Sequence, residues 1–229
     1  MAHDTSPLTL HHRCLQVFGR RSSFNLQKVM WLVDEIGIEH EHVELGGDFG
    51  GLDHPDFLHA NPHGRVPLVH DRGVLVWESQ AILRYLAATY GGTAWWPDAP
   101  ARRAEVDQWM DWAQTALQPA FLNGIFWGYY RTPAPQRDER AIQACVEQCA
   151  RYFEHIEQLL TPDRTFLLGD AMSLADIVIG THLFRYVNLD IERPELPRVS
   201  AWYDRLTRRP AYARHVMVPF DDLFGRLAY

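Results

Sequence analysis

At 229 residues the chain can hold one large domain or two small ones, and a 47% apolar share supplies a substantial core. Its formal net charge of −7 is wrong for nucleic acid, whose phosphates need a basic face. No run of about 18 apolar residues exists to span a bilayer, and three cysteines make no disulfide framework. The start, Met1-Ala2-His3-Asp4, lacks the basic and apolar pattern of a secretory signal, so a reducing, cytoplasmic setting is expected. Aromatics reach 12%, with eight Trp, which suits apolar pockets or interfaces.

Residues 1–12 read as a polar, flexible lead-in. His11-His12-Arg13-Cys14 has no second cluster at metal-ligand spacing, and no metal is expected. Cys14-Leu15-Gln16-Val17-Phe18 reads as a strand, and Gly19-Arg20-Arg21-Ser22-Ser23 turns the chain into a helix beginning near Asn25. Leu26, Val29, Met30, Val33 and Ile36 share one face of that helix, and Gly37 ends it. His42-Val43-Glu44-Leu45 is the next strand, which completes a βαβ unit with a right-handed crossover. The loop Gly46-Gly47-Asp48-Phe49-Gly50-Gly51 has neither phosphate-binding glycine spacing nor a long helix after it, so it is no phosphate cradle. A short helix over 55–60 precedes the most informative stretch, Asn61 to Leu86.

There a turn, Asn61-Pro62-His63-Gly64, leads through Val66-Pro67 into a strand. A cis bond is one way for the residue before such a Pro to present its backbone to solvent. Asp71-Arg72-Gly73 is a tight-turn signal, and Val74-Leu75-Val76-Trp77 returns as the second strand of a hairpin. Glu78-Ser79 then opens a helix with Ala81, Ile82, Tyr85 and Leu86 at helical spacing. A helix start carries free N–H groups and partial positive charge, which suit a carboxylate, and Glu78 can pair with an ammonium group. Capping alone would also account for Ser79 at the N-cap.

Gly91-Gly92 through Trp95-Trp96-Pro97-Asp98 interrupts this pattern, and from Pro100 onward the sequence is helical almost throughout. A long helix is expected over 101–128, with a kink at Pro119, and a second over 136–160. Cys145 and Cys149 share a face of the second and read as packed thiols, because a helix interior holds such a pair poorly for a disulfide. Ser173 and Asp176 form a capping box opening a third, apolar helix. Shorter helices follow over 198–206 and 211–217. The fold class is thus α/β plus all-α: a thioredoxin-like N-terminal domain (13–92) followed by an all-helical C-terminal domain (100–229).

Asn61-Pro62, Val66-Pro67 and the hairpin ending in Glu78-Ser79, followed in order by Ala104-Glu105-Val106-Asp107-Gln108-Trp109 and Ser173-Leu174-Ala175-Asp176, resemble the cytosolic glutathione transferases. The likeness extends from Arg13 to about His215 and is nearest to bacterial members of the serine-type theta and zeta classes. It implies that Val66, before a cis Pro67, pairs its backbone with the cysteinyl unit of glutathione. Glu78 and Ser79 would hold the γ-glutamyl end and Arg65 the glycine carboxylate. Asp107, with Glu105 as the alternative, would reach the γ-glutamyl ammonium across a homodimer. The family's position for the thiolate-stabilising hydroxyl falls on Ser23, with Ser22 as the fallback and Asn25 as an added donor. A hydroxyl at a helix start lowers a thiol pKa from roughly 8.5, although a helix-capping serine would have the same sequence.

An electrophile pocket is expected between the domains, drawing on Phe121, Phe126, Trp127, Tyr129 and Tyr130, and suited to an apolar substrate. The resemblance therefore implies a detoxifying transferase with glutathione as co-substrate and no metal. The alternatives are a ligand-binding protein of the same fold without turnover, or a related glutathione-dependent dehalogenase, isomerase or peroxidase. A thiol–disulfide reductase is not expected, because the turn carries Ser22-Ser23 and Cys14 lies within the strand.

Overall fold

The computed structural model describes residues 6–227. Met1 to Thr5, which include the start of the expected lead-in, lie outside the described residues. The rest of the lead-in is tied down. Leu8 packs on the core, Gln16 Nε2 donates to Thr9 O (2.9 Å), and His11 Nε2 meets Glu41 Oε2 at 2.6 Å.

The chain divides into two compact units, Met1–Gly92 and Thr93–Tyr229. The first is thioredoxin-like, with β1 (Leu15–Phe18), α1 (Phe24–Ile36), β2 (His40–Val43), α2 (Pro55–Ala60), β3 (Leu68–Asp71), β4 (Val74–Trp77) and α3 (Ser79–Tyr90). The sheet order is β2-β1-β3-β4, with β2 parallel to β1 and β3 and β4 antiparallel. Every residue of central β1 is buried, whereas Val74 and Leu75 of edge strand β4 are exposed. Phe18, Leu45, Phe57, Ala60 and Leu68 form a core at one end of the sheet, with Val66 and Trp77 packed against it.

Local chemistry explains the boundaries. Gly37 ends α1 in the left-handed region (φ 76°), where its N–H reaches Val33 O and Asp34 O. Arg72 (φ 50°) and Gly73 (φ 90°) form the two-residue turn between β3 and β4, the backbone form that matches strand twist. The β2 strand begins two residues before the span expected, because Leu15 pairs with His40. Burial in α1 is wider than one face. Phe24 and the eight residues from Leu26 to Val33 are all buried, Gln27 and Lys28 included.

At the division the chain makes one helical turn, α4 (Gly92–Trp95), and enters α5 (Pro100–Trp112). Helical backbone continues to Arg131, but over Ala113–Leu117 and Pro119–Arg131 it is π-type, as in the bond from Gln118 N to Ala113 O. The wider register has an evident cause in the sequence: Pro119 has no N–H to give to the tighter ladder. Gly124 lets the neighbouring helix α6 (Glu139–Leu159) approach, since a Cβ there would lie 2.7 Å from Cys145 Cβ. Ile142, Val146, Cys149, Phe153 and Ile156 form the buried stripe of α6. Helix α7 (Leu174–Asn188) is buried along most of its length, and α8 (Pro197–Thr207) and α9 (Pro210–His215) follow.

Asp176 is fully buried at the start of α7 and accepts from Ser173 N (2.9 Å), Ser173 Oγ (2.9 Å) and Leu167 N (3.0 Å). Burial pushes its carboxyl up to about 6 against those hydrogen bonds. All three cysteines are free thiols; burial raises Cys145, and burial with Cys145 alongside takes Cys149 to about 12. No helix among the described residues is long and apolar enough to cross a membrane.

Candidate functional site

The register of the N-terminal sheet gathers three segments at one end. Phe18 ends β1 opposite Leu68, and Leu68 begins β3 opposite Trp77, which ends β4. The turn after β1, the segment before β3 and the start of α3 therefore share one edge. A Cβ on Gly19 (φ 150°) would lie 3.1 Å from both Val66 Cβ and Leu26 Cδ1. Only glycine allows that approach.

Asn61, itself buried, organises the segment before β3. Its Nδ2 donates to Arg65 O (2.6 Å), its Oδ1 accepts from His63 N (3.1 Å), and its carbonyl accepts from Gly64 N (3.0 Å). Arg65 is thus held by its backbone while its side chain is exposed. The Val66–Pro67 peptide bond is cis. Neither N–H nor C=O of Val66 is bonded among the described residues, although most partly buried backbone groups are.

The start of α3 departs from the capping pattern expected. Glu78, not Ser79, is the N-cap residue; its side chain makes no capping bond, and Ser79 is the first helical residue. Glu78 lies at φ 68°, a region costly for a residue with a Cβ. Ser79 is 2% exposed, and its Oγ has no hydrogen-bond partner among the described residues. A buried hydroxyl without a partner is rare and costs roughly 1–3 kcal/mol.

At the turn after β1, Ser23 is the N-cap of α1, and its Oγ accepts from Leu26 N at 3.4 Å. That long bond uses a lone pair and leaves the hydroxyl proton to donate elsewhere. Ser22 is more exposed than Ser23. Asn25 Oδ1 accepts from Lys28 Nζ at 3.0 Å. Burial lowers the Lys28 ammonium to about 7, with the Glu78 carboxylate acting in the opposite direction. Sequence reasoning missed Lys28, and it read Asn61 as part of a turn without the bonds that hold Arg65. The available signals were a lysine between Leu26 and Val29 on an apolar helix, and an Asn four residues before Arg65 in a turn.

The remaining candidates lie in the helical unit. Asp107 is half-buried on α5, and Glu105 is exposed and paired with Arg102 at 2.8 Å. Phe121 is fully buried, in edge contact with His182 and Tyr186. Phe126, also buried, stacks on Tyr130 and lies under the Arg185 guanidinium, 4.4 Å from its ring. Trp127, Tyr129 and Tyr130 keep partial exposure, and the Arg131 guanidinium lies 3.9 Å from the Trp127 ring centroid.

Residues 14–88 match the family model described as glutathione S-transferase, N-terminal domain, and residues 139–205 match the C-terminal domain of the same family. The chain is 39% identical to the glutathione S-transferase GstB of Escherichia coli K12 over 207 residues, 90% of this chain and 99% of that one. It is 30% identical over 203 residues to the probable glutathione S-transferase GSTF2 of Oryza sativa subsp. japonica, covering 86% of this chain and 93% of that one. Among solved structures it resembles the theta class glutathione S-transferase of Xanthomonas axonopodis pv. citri with glutathione bound. That likeness has a TM-score of 0.83 and 40% identity, and covers 90% of this chain and 98% of that one.

Proposed function

The chain belongs to the glutathione S-transferase family, and on that premise we propose that it conjugates the thiol of glutathione to small apolar electrophiles, with Ser23 stabilising the thiolate. One observation carries the reading. At a single edge of the N-terminal sheet, the backbone of Val66 and the buried hydroxyl of Ser79 are both left unbonded beside the start of α3. A buried hydroxyl such as that of Ser79 costs the fold free energy unless a partner satisfies it.

In this reading the cysteinyl backbone of glutathione pairs with Val66, next to Pro67. Its γ-glutamyl carboxylate takes the Ser79 hydroxyl and the first amides of α3, where the helix dipole favours an anion. Glu78 receives the ammonium, Arg65 the glycine carboxylate by a charge-assisted bond, and Asp107 serves the ammonium from the second copy of a homodimer. Ser23 and Asn25 then donate to the sulfur. Trp127 and Tyr130 offer aromatic surface to the electrophile, and Phe126 backs Tyr130 by stacking on it. The cytoplasm is the assigned compartment, in keeping with three free thiols. Light scattering that returned only one chain's 26.5 kDa would overturn the dimer and the role of Asp107 with it.

Ser23→Ala tests the chemistry. Its conjugation rate with an aromatic halide should fall near neutral pH and recover as pH rises, with glutathione affinity little changed, because the lost bond favours only the charged sulfur. Ser22→Ala should be milder. A wild-type pH–rate profile in Ser23→Ala would remove the serine from the mechanism. A wild-type chain that binds glutathione but turns over no electrophile would favour the ligand-binding alternative.

A further inference from the structure

Lys28 is 1% exposed in the middle of α1. A lysine there costs desolvation that a leucine or methionine would avoid, so its presence asks for a reason. Its Nζ donates to Asn25 Oδ1 at 3.0 Å and lies 4.9 Å from the Phe24 ring centroid, and Glu78 is the carboxylate acting on it. A lysine bonded to an amide settles which way that amide points. As an ammonium Lys28 has N–H donors and no acceptor, so the Asn25 atom it meets is the oxygen. Nδ2 is thereby turned away from Lys28, and it makes no hydrogen bond among the described residues.

We propose that Lys28 is a positioning residue for the thiolate: by gripping Oδ1 it fixes Asn25 with Nδ2 presented as a donor at the start of α1. This deepens the proposed function and rests on it. Asn25 lies two residues beyond Ser23, at the end of the sheet where Gly19 meets Val66. Without Lys28 the amide can turn over and offer its oxygen, an acceptor, to a sulfur that needs donors. The energetic difference between the two orientations falls on the charged form of the sulfur and scarcely on the neutral peptide. The ammonium enforces this orientation, because it has no lone pair with which to accept from Nδ2.

The test combines calorimetry of glutathione binding with the ultraviolet absorbance of the bound thiolate followed against pH. In Lys28→Met, glutathione affinity measured below the thiol pKa should stay within about twofold. The thiol pKa should rise by about one unit, and kcat/KM near neutral pH should fall about tenfold. Lys28→Gln restores an N–H donor without a charge and should recover most of both; Asn25→Ala should be made no worse by adding Lys28→Met. If Lys28→Met disturbs folding, the thiol pKa of Lys28→Gln, expected near the wild-type value, still decides the matter. An unchanged thiol pKa in Lys28→Met, a Lys28→Gln as defective as Lys28→Met, or a further loss in the Asn25→Ala background would each overturn the assignment while leaving the proposed function intact. A wild-type chain that bound no glutathione would overturn both.

Discussion

Two helices in this chain open on a serine and an acid, and they use the pair in opposite ways. At α7, Ser173 and Asp176 bond to each other, and the carboxylate also takes the Leu167 amide. At α3, Glu78 has no capping bond, its backbone lies at φ 68°, and the Ser79 hydroxyl is buried without a partner. The first pair completes itself, which serves stability. The second leaves the Ser79 hydroxyl unpartnered, and the proposed function rests on that difference rather than on residue type.

The comparison can be broken most forcefully at Asp176. Asp176→Ala strands two backbone N–H groups, and chemical denaturation should show a loss of roughly 2–4 kcal/mol; a loss under about 1 kcal/mol would mean that the cluster holds nothing together. Next comes Ser79→Ala, which should weaken glutathione binding by roughly 1–3 kcal/mol in calorimetry while leaving the unfolding midpoint unchanged or slightly raised. The same replacement at Ser173 should do the reverse, costing about 1 kcal/mol of stability with glutathione affinity untouched. Two serines that behaved alike would erase the distinction.

The smallest effect sharpens the contrast by pH. The folded chain holds the Asp176 proton up to about 6, above the ordinary carboxylate range. Between roughly pH 4 and 6 the native state therefore binds more protons at this group than the unfolded state. Asp176 alone thus makes unfolding free energy fall as pH rises through that window. Asp176→Asn should flatten that component of the stability profile, and a profile parallel to wild type would contradict it.

Features encoded by neighbouring residues were legible in the sequence. The hairpin turn at Arg72-Gly73, the left-handed Gly37 stop and the Ser173–Asp176 pair each need only a few adjacent positions, and each forms where expected. What escaped notice depends on packing at long range. Spacing marked one buried face on α1, yet the structure buries Gln27 and Lys28 as well, because α1 is covered on more than that face. The N-cap of α3 moved from Ser79 to Glu78 because the chain leaves β4 through a left-handed residue, and the letters Glu-Ser do not specify such a conformation. The π-type stretch likewise needed a register change around Pro119, where spacing alone suggested a kink in an ordinary helix.

Glu78 and Arg72 are the two described residues other than glycine at positive φ, and an engineer seeking heat tolerance would treat them as one opportunity. Glycine at either position would relieve about 1 kcal/mol. At Arg72 that gain is set against the guanidinium's contacts with the Tyr90 ring, 5.7 Å from its centroid, and with Asp71 Oδ1 at 4.0 Å. At Glu78 the more heat-resistant protein would have lost the carboxylate proposed to meet the glutathione ammonium. Directed evolution scored on melting temperature alone would accept both changes, and only a parallel screen for glutathione retention would tell them apart.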